Sequence, residues 1–180
     1  MDETRERLKT LCRGCIKFGD FTLASGKKSD FYFDGRLVTL DPEGADLTGR
    51  IMYEEGKKLG ASAVSGISAG ADPLISTVGH IAYLENNRLK MSYVRKQAKE
   101  HGTKKEIEGP PLSPGDNVII VEDVVTTGGS CLRAAEVVRN TYGSKIAAII
   151  VLLDREEGGR EAVEAAGYKL ISIFRRSDFK

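Results

Sequence analysis

The sequence has no long apolar run, almost no net charge, and too few cysteines and histidines to build a metal site. Each absence removes a class of function. No stretch approaches the roughly 20 consecutive apolar residues that a membrane span needs. The opening "MDETRERLKT" has no apolar core behind its charged residues, so a secretory signal is not expected either, and the reading is cytoplasmic. Lysine and arginine total 27 against 26 acidic residues, a net charge of +1. Such a balance offers no long-range field to hold nucleic acid or an anionic membrane, so any basic function has to be local. Cys12-x-x-Cys15 has the spacing of half a zinc site, but Cys131, His80 and His101 do not supply the second pair. These thiols are read as buried or idle in a reducing compartment. His80 reads as a structural residue at a helix end. No glycine-rich turn is followed by Gly-Lys-Ser/Thr, which excludes a Walker A loop.

What is present is a single domain. The chain of 180 residues is long enough for one real core and short for two. A helix is expected over Glu3–Cys15, then a polar, turn-rich stretch over Lys17–Leu40. Asp41-Pro42 caps a second helix that closes on Gly60. The pattern then alternates. Apolar runs at Ser62–Ser68, Leu89–Arg95, Asn117–Asp123, Lys145–Asp154 and Tyr168–Phe174 read as strands. Asp72–Tyr83, Gly129–Tyr142 and Gly159–Ala166 read as helices. Strands alternating with helices imply an α/β fold with a doubly wound, mostly parallel sheet flanked by helices. Ligands of such sheets bind beyond the carboxyl ends of the strands. Lys96–Pro114 fits neither element, and so long a connection is often a functional lid.

The most informative stretch is Asp116–Ser130, "DNVIIVEDVVTTGGS". A buried strand delivers Glu122 and Asp123 to the ligand edge, and Thr126-Thr127-Gly128-Gly129-Ser130 follows. The next helix begins near Gly129, so unpaired backbone N–H groups face outward beside a positive helix end. That is a site for a phosphate. The glycines allow close approach, and Thr126, Thr127 and Ser130 add hydroxyl donors. Two carboxylates cannot face the same phosphate without repulsion. They suit sugar hydroxyls or a hydrated Mg²⁺ instead. A phosphorylated sugar with a free diol satisfies both halves; a strand end followed by an ordinary glycine turn is the plainer alternative.

A second basic constellation comprises Arg95, Lys96, Lys99, Lys104 and Lys105 around His101-Gly102. By composition it is a solvated loop, partly balanced by Glu100, Glu106 and Glu108. By position it leaves a sheet strand at the same edge as the phosphate cradle.

"VIIVEDVVTTGGS" resembles the 5-phosphoribosyl-1-pyrophosphate (PRPP) motif of type I phosphoribosyltransferases. "VRKQAKEHG" resembles the catalytic loop of the orotate branch, on Arg95, Lys96, Lys99, His101 and Gly102. "FTLASGKKSDFYFDGR" and "LLDREEGG" resemble two further stretches of that branch, so the likeness spans most of Phe21–Gly159. It implies the type I phosphoribosyltransferase fold over residues 1–180. A small hood formed by about 1–40 with part of the C-terminus, and a mobile catalytic loop over about 96–111, would complete it. The implied activity is transfer of phosphoribose from PRPP to N1 of orotate in UMP synthesis. PRPP would be held by Arg95, Lys96, Lys99, His101, Glu122, Asp123 and Thr126, Thr127, Gly128, Gly129, Ser130. Orotate would be held by Tyr32, Phe33, Thr127 and Arg155, and catalysis would rest on Lys99, His101 and Asp123. Mg²⁺ would arrive mainly on PRPP, with no protein-held metal. The loop would reach a neighbouring subunit, implying a homodimer with shared active sites; no nucleic-acid or membrane partner is expected. The chain departs from some relatives at Ala24 and at Ser68-Ala69-Gly70-Ala71, where lysines stand in others. A sister transferase for another base would keep the cradle without needing the basic loop; a PRPP-sensing regulator that binds RNA or DNA is the other alternative, for which a net charge of +1 gives little electrostatic footprint.

Overall fold

The computed structural model describes residues 2–22, 28–97 and 105–179. Its centre is the stretch that reads most strongly as strand. "NVIIVEDVV" forms β7 (Asn117–Val125), and its Val118–Val121 run is fully buried because helices cover both faces. Around it the chain runs α1 (Asp2–Gly14), β1 (Ile16–Thr22), β2 (Lys28–Phe33), α2 (Arg36–Thr39), α3 (Pro42–Lys58), β3 (Ala63–Ser65) and α4 (Asp72–Leu84). Then come β4 (Lys90–Met91), β5 (Tyr93–Val94) and β6 (Ile107–Glu108) before β7. After it follow α5 (Gly129–Tyr142), β8 (Lys145–Asp154), α6 (Gly159–Ala165), β9 (Leu170–Arg175) and a short 3₁₀ turn, Arg176–Phe179.

Five strands make one parallel sheet in the order β4-β3-β7-β8-β9. Its order doubles back at β3–β7, the arrangement that opens a crevice at the strand ends. Ile119 and Val121 pack with α3 and α4 residues such as Met52, Leu74 and Val78, while Val118 and Ile120 pack with Ala134, Ala135 and Val138 of α5. Alternate side chains of one strand thus feed two cores. Helix α3 starts as expected: Asp41 accepts from the Gly44 N–H at 2.8 Å, with Pro42 in the first turn.

Four expectations are corrected. Lys17–Leu40 is not simply a turn-rich stretch, because β1 and β2 pair antiparallel there, Ile16 opposite Phe33. Leu89–Arg95 is not one strand: β4 joins the parallel sheet, and β5 turns away to pair antiparallel with β6. The segment Lys96–Pro114 therefore contains a strand. His80 is not at a helix end either; it lies inside α4 and is exposed. Cys12 is buried and its thiol is pushed up to about 12, chiefly by burial, so it is a core residue rather than a reactive one. Among the described residues no helix is long and apolar enough to cross a membrane, and no three or more His, Cys, Asp or Glu side chains cluster as metal ligands.

Candidate active site

The turn from β7 into α5 leaves backbone donors open at the start of a helix. Gly128 takes φ +83°, a conformation that L side chains resist, and a Cβ there would stand 3.1 Å from the Gly159 carbonyl oxygen. Among the described residues no side-chain hydrogen bond caps the helix at Gly128, so its first-turn N–H groups remain open. A cavity of about 90 Å³ sits on this turn, lined by Glu122 and the Val124–Cys131 segment. That is far below the roughly 300 Å³ at which whole small-molecule pockets begin, and it suits a single tetrahedral anion.

The two carboxylates sit just behind. Glu122 is 7% exposed, and its buried Oε2 has no hydrogen-bond partner among the described residues. Burial, with a smaller push from Asp123, raises its carboxyl to about 8. Burial also raises Asp123, against the opposing effects of the Val124 N–H, which donates to Oδ1 at 2.8 Å, and of the Arg36 charge. A Cβ built on Gly70 would lie 3.1 Å from Glu122 Oε1 and 3.4 Å from Asp123 Oδ1. Both acids therefore meet the loop that follows β3. A native protein keeps such unsatisfied, desolvated acceptors where a ligand's donors will meet them.

The loop after β3 is tied to the stem of the basic segment. Ile67 bridges Val94, and the Ser68 N–H donates to the Val94 carbonyl at 3.0 Å. Ser68 Oγ donates to Asp72 Oδ2 at 2.8 Å. Arg95 closes the stem by pairing with Glu108 (Nη2–Oε1 2.8 Å), and the Lys96 carbonyl accepts from Arg133 of α5. The basic segment thus departs from the ligand edge. Lys99 and His101 lie outside the described residues.

On the other side stands the β1–β2 hairpin. Tyr32 is half-buried against the Phe21 ring, at 5.4 Å between centroids, whereas Phe33 is 6% exposed and belongs to the core. The strand's two-residue period sends these neighbours to opposite faces, so their side chains do not share one surface. Arg155 is 5% exposed. Its Nη2 donates to Ser29 Oγ and to the Phe31 carbonyl, both at 2.9 Å, and it pairs with Glu157 at 2.9 Å. These bonds bind β2 to the end of β8.

The segment joining β2 to α2 is a part of the site that sequence reasoning passed over. A Cβ on Gly35 would stand 2.9 Å from both Cβ and Oδ2 of Asp123. The next residue, Arg36, lies close enough for its charge to act on Asp123. Only the "DGR" at the end of the quoted hairpin stretch signalled them, a glycine where backbone had to approach and a cation beside it.

Fold and site together define a phosphoribosyl-transferring enzyme, and residues 53–174 match the phosphoribosyl transferase domain. The chain is 42% identical over 178 residues to the orotate phosphoribosyltransferase of Aquifex aeolicus, covering 97% of this chain and 96% of that one. It is 43% identical over 167 residues to that of Pyrococcus abyssi, covering 92% and 88%. The crystal structure of the Mycobacterium tuberculosis H37Rv orotate phosphoribosyltransferase in complex with PRPP superposes with a TM-score of 0.80 at 31% identity, covering 98% of each chain. The same enzyme with Fe(III) dicitrate gives 0.84 at 34%, again over 98% of each. The chain belongs to the orotate phosphoribosyltransferase family.

Proposed function

We propose that the chain transfers the 5-phosphoribosyl group of PRPP to N1 of orotate, giving orotidine 5-monophosphate and pyrophosphate in de novo UMP synthesis. One observation carries the reading. An open helix N-terminus and a desolvated carboxylate pair follow one another along the end of β7, matching a ligand with a phosphate at one end and a diol beside it. The family supports orotate as the acceptor.

Thr126–Ser130 hold the 5-phosphate through backbone N–H groups and hydroxyls. Glu122 and Asp123 accept from the ribose 2- and 3-hydroxyls and sit near C1 as positive charge develops there. The orotate N1 lone pair forms the bond to C1 while the C1–oxygen bond to pyrophosphate breaks, inverting C1. Arg95, Lys96, Lys99 and His101 receive the departing pyrophosphate and exclude water from an oxocarbenium-like centre. Orotate rests on Tyr32, Thr127 and Arg155, since the buried Phe33 faces the core. Because Arg155 is committed to Glu157 and β2, its role would be to set the wall of that subsite, with its remaining donors available to the ring carboxylate. Mg²⁺ would be carried on the oxygens of PRPP, where it would offset charge on the leaving group. The protein works as a cytoplasmic homodimer whose basic loops, within residues about 96–111, cross into the partner's site, beneath a hood made of about 1–40 with part of the C-terminus.

An assay of orotate, uracil, xanthine and hypoxanthine with PRPP and Mg²⁺ tests the reading. Orotate alone should release pyrophosphate; turnover of a purine at the orotate rate would overturn it.

A further inference from the structure

An edge carrying two carboxylates repels anionic ligands, so the anions that this reaction handles need a cation close to Asp123. Two arginines near the edge hold their acidic partners in less exposed pairs. Arg95 pairs with Glu108 across the β5–β6 ladder, and Arg155 is buried with Glu157. Arg36 differs. Its guanidinium grips Asp34 in two-point fashion (Nε–Oδ1 2.9 Å, Nη2–Oδ2 3.1 Å), yet its side chain remains 64% exposed. A solvent-facing pair of this kind contributes little to stability, so its cation can change partner at little cost.

The position of Arg36 is held by what precedes it. Gly35 lies flat against the Asp123 carboxylate, where a Cβ would stand 2.9 Å from Oδ2. Gly70 of the loop after β3 covers the other oxygen, Oδ1. Asp123 is thus enclosed between two glycine backbones, and Arg36 leaves the first of them at the rim. Tyr32 and Asp123 both lie within electrostatic range of the guanidinium.

We propose that Arg36 is a substrate-binding cation of this site, released from Asp34 to take anionic oxygens of the ligands that gather at Asp123. Asp34 acts as its parking partner in the empty site. Two ligands present that chemistry, the pyrophosphate of PRPP and the carboxylate of orotate, and the two are separable by titration. The proposal rests on the function given above, and the assignment belongs to this chain's own "DGR" geometry.

The test is a two-residue cycle on the full-length protein, with Kd measured separately for magnesium pyrophosphate, PRPP and orotate. Arg36→Gln should weaken at least one of these anions by roughly tenfold, the scale of one lost charge-assisted hydrogen bond. Arg36→Lys should recover part of the loss. Asp34→Asn, which frees the cation, should shift the same ligand the opposite way, tightening it roughly threefold. That gain should vanish in the double variant, because it acts through Arg36. If the loss falls on pyrophosphate, the cation serves the leaving group; if it falls on orotate, it serves the acceptor. Arg36→Gln and Asp34→Asn shifting every ligand in the same direction, with equal losses of Tm, would reduce the pair to a structural brace and overturn the proposal. Unchanged affinities in both would overturn it as well. Wild-type protein that binds neither PRPP nor orotate would instead defeat the underlying function, so the two failures are distinct.

Discussion

Gly35 packs against Asp123 so closely that one added methyl would stand 2.9 Å from the carboxylate's Cβ and Oδ2. The backbone at Gly35 is ordinary right-handed helical, φ −59°, so alanine there meets no conformational penalty. Gly35→Ala is therefore expected to act through the contact alone, displacing Asp123 and weakening PRPP by roughly tenfold or more at a stability cost of about 1–3 kcal/mol. PRPP titration checks it; wild-type affinity would show that Asp123 does not need its observed position.

Glu122 makes a pH prediction with a definite sign. Its carboxyl is raised in the folded protein to about 8 from an ordinary value of 4.5, so between those values the folded chain keeps a proton that the unfolded chain has lost. Stability of the ligand-free protein should fall as pH rises through that window, and Glu122→Gln should remove the slope. The difference between the two proteins should reach a few kcal/mol, since one pKa unit corresponds to about 1.4 kcal/mol. Melting both at pH 5 and pH 8.5 measures it. Parallel curves would mean that Glu122 is solvated.

Arg155 joins β2 to β8 through buried bonds to Ser29, Phe31 and Glu157. Arg155→Gln leaves Glu157 without its cation and should cost about 2–4 kcal/mol in urea unfolding without substrate. A variant as stable as wild type would confine Arg155 to ligand contact.

Lys99→Ala should depress turnover at least a hundredfold while PRPP still binds, because its cation is needed as the leaving group departs. Thr127→Glu, at an exposed cradle position, should abolish PRPP binding by repulsion without disturbing the core. Mixed and refolded together, the two inactive variants should recover about one quarter of wild-type activity, since half the dimers are hybrids with one intact site. No recovery would argue for sites completed within one chain.

Local pattern explains what could be read without a structure. The run Asn117–Val121 reads as a doubly buried strand, and the Thr-Thr-Gly-Gly tract ahead of a helical pattern reads as a helix start with open N–H groups. Asp41-Pro42 and Gly60 marked helix ends through cap chemistry that acts within four residues. These features are determined by neighbours in the chain, so the chain displays them.

The misreadings share the opposite cause. β1 and β2 carry Lys17, Asp20, Ser29 and Asp30 among their aromatics, and the pairing of Phe18 with Phe31 at 5.8 Å gives the hairpin its apolar contact. β5 and β6 are two residues each and pair with each other across a long gap in sequence. Phe33 reads as one of a row of aromatics until the strand's period assigns it to the core. Strand identity here depends on a partner remote in sequence, which no periodicity encodes.

The sequence by itself determined the parallel sheet, the glycine-rich helix start and the paired acids, because each follows from the order of residues along β7 and into α5. Only the tertiary structure decided what surrounds Asp123: Gly35 on one oxygen, Gly70 near the other, Arg36 at the rim, and Arg155 turned into the wall. Those relations join segments that are distant in sequence. They arise because β3, β7 and β8 end at one edge of the sheet, and the hairpin folds over that edge to cover it.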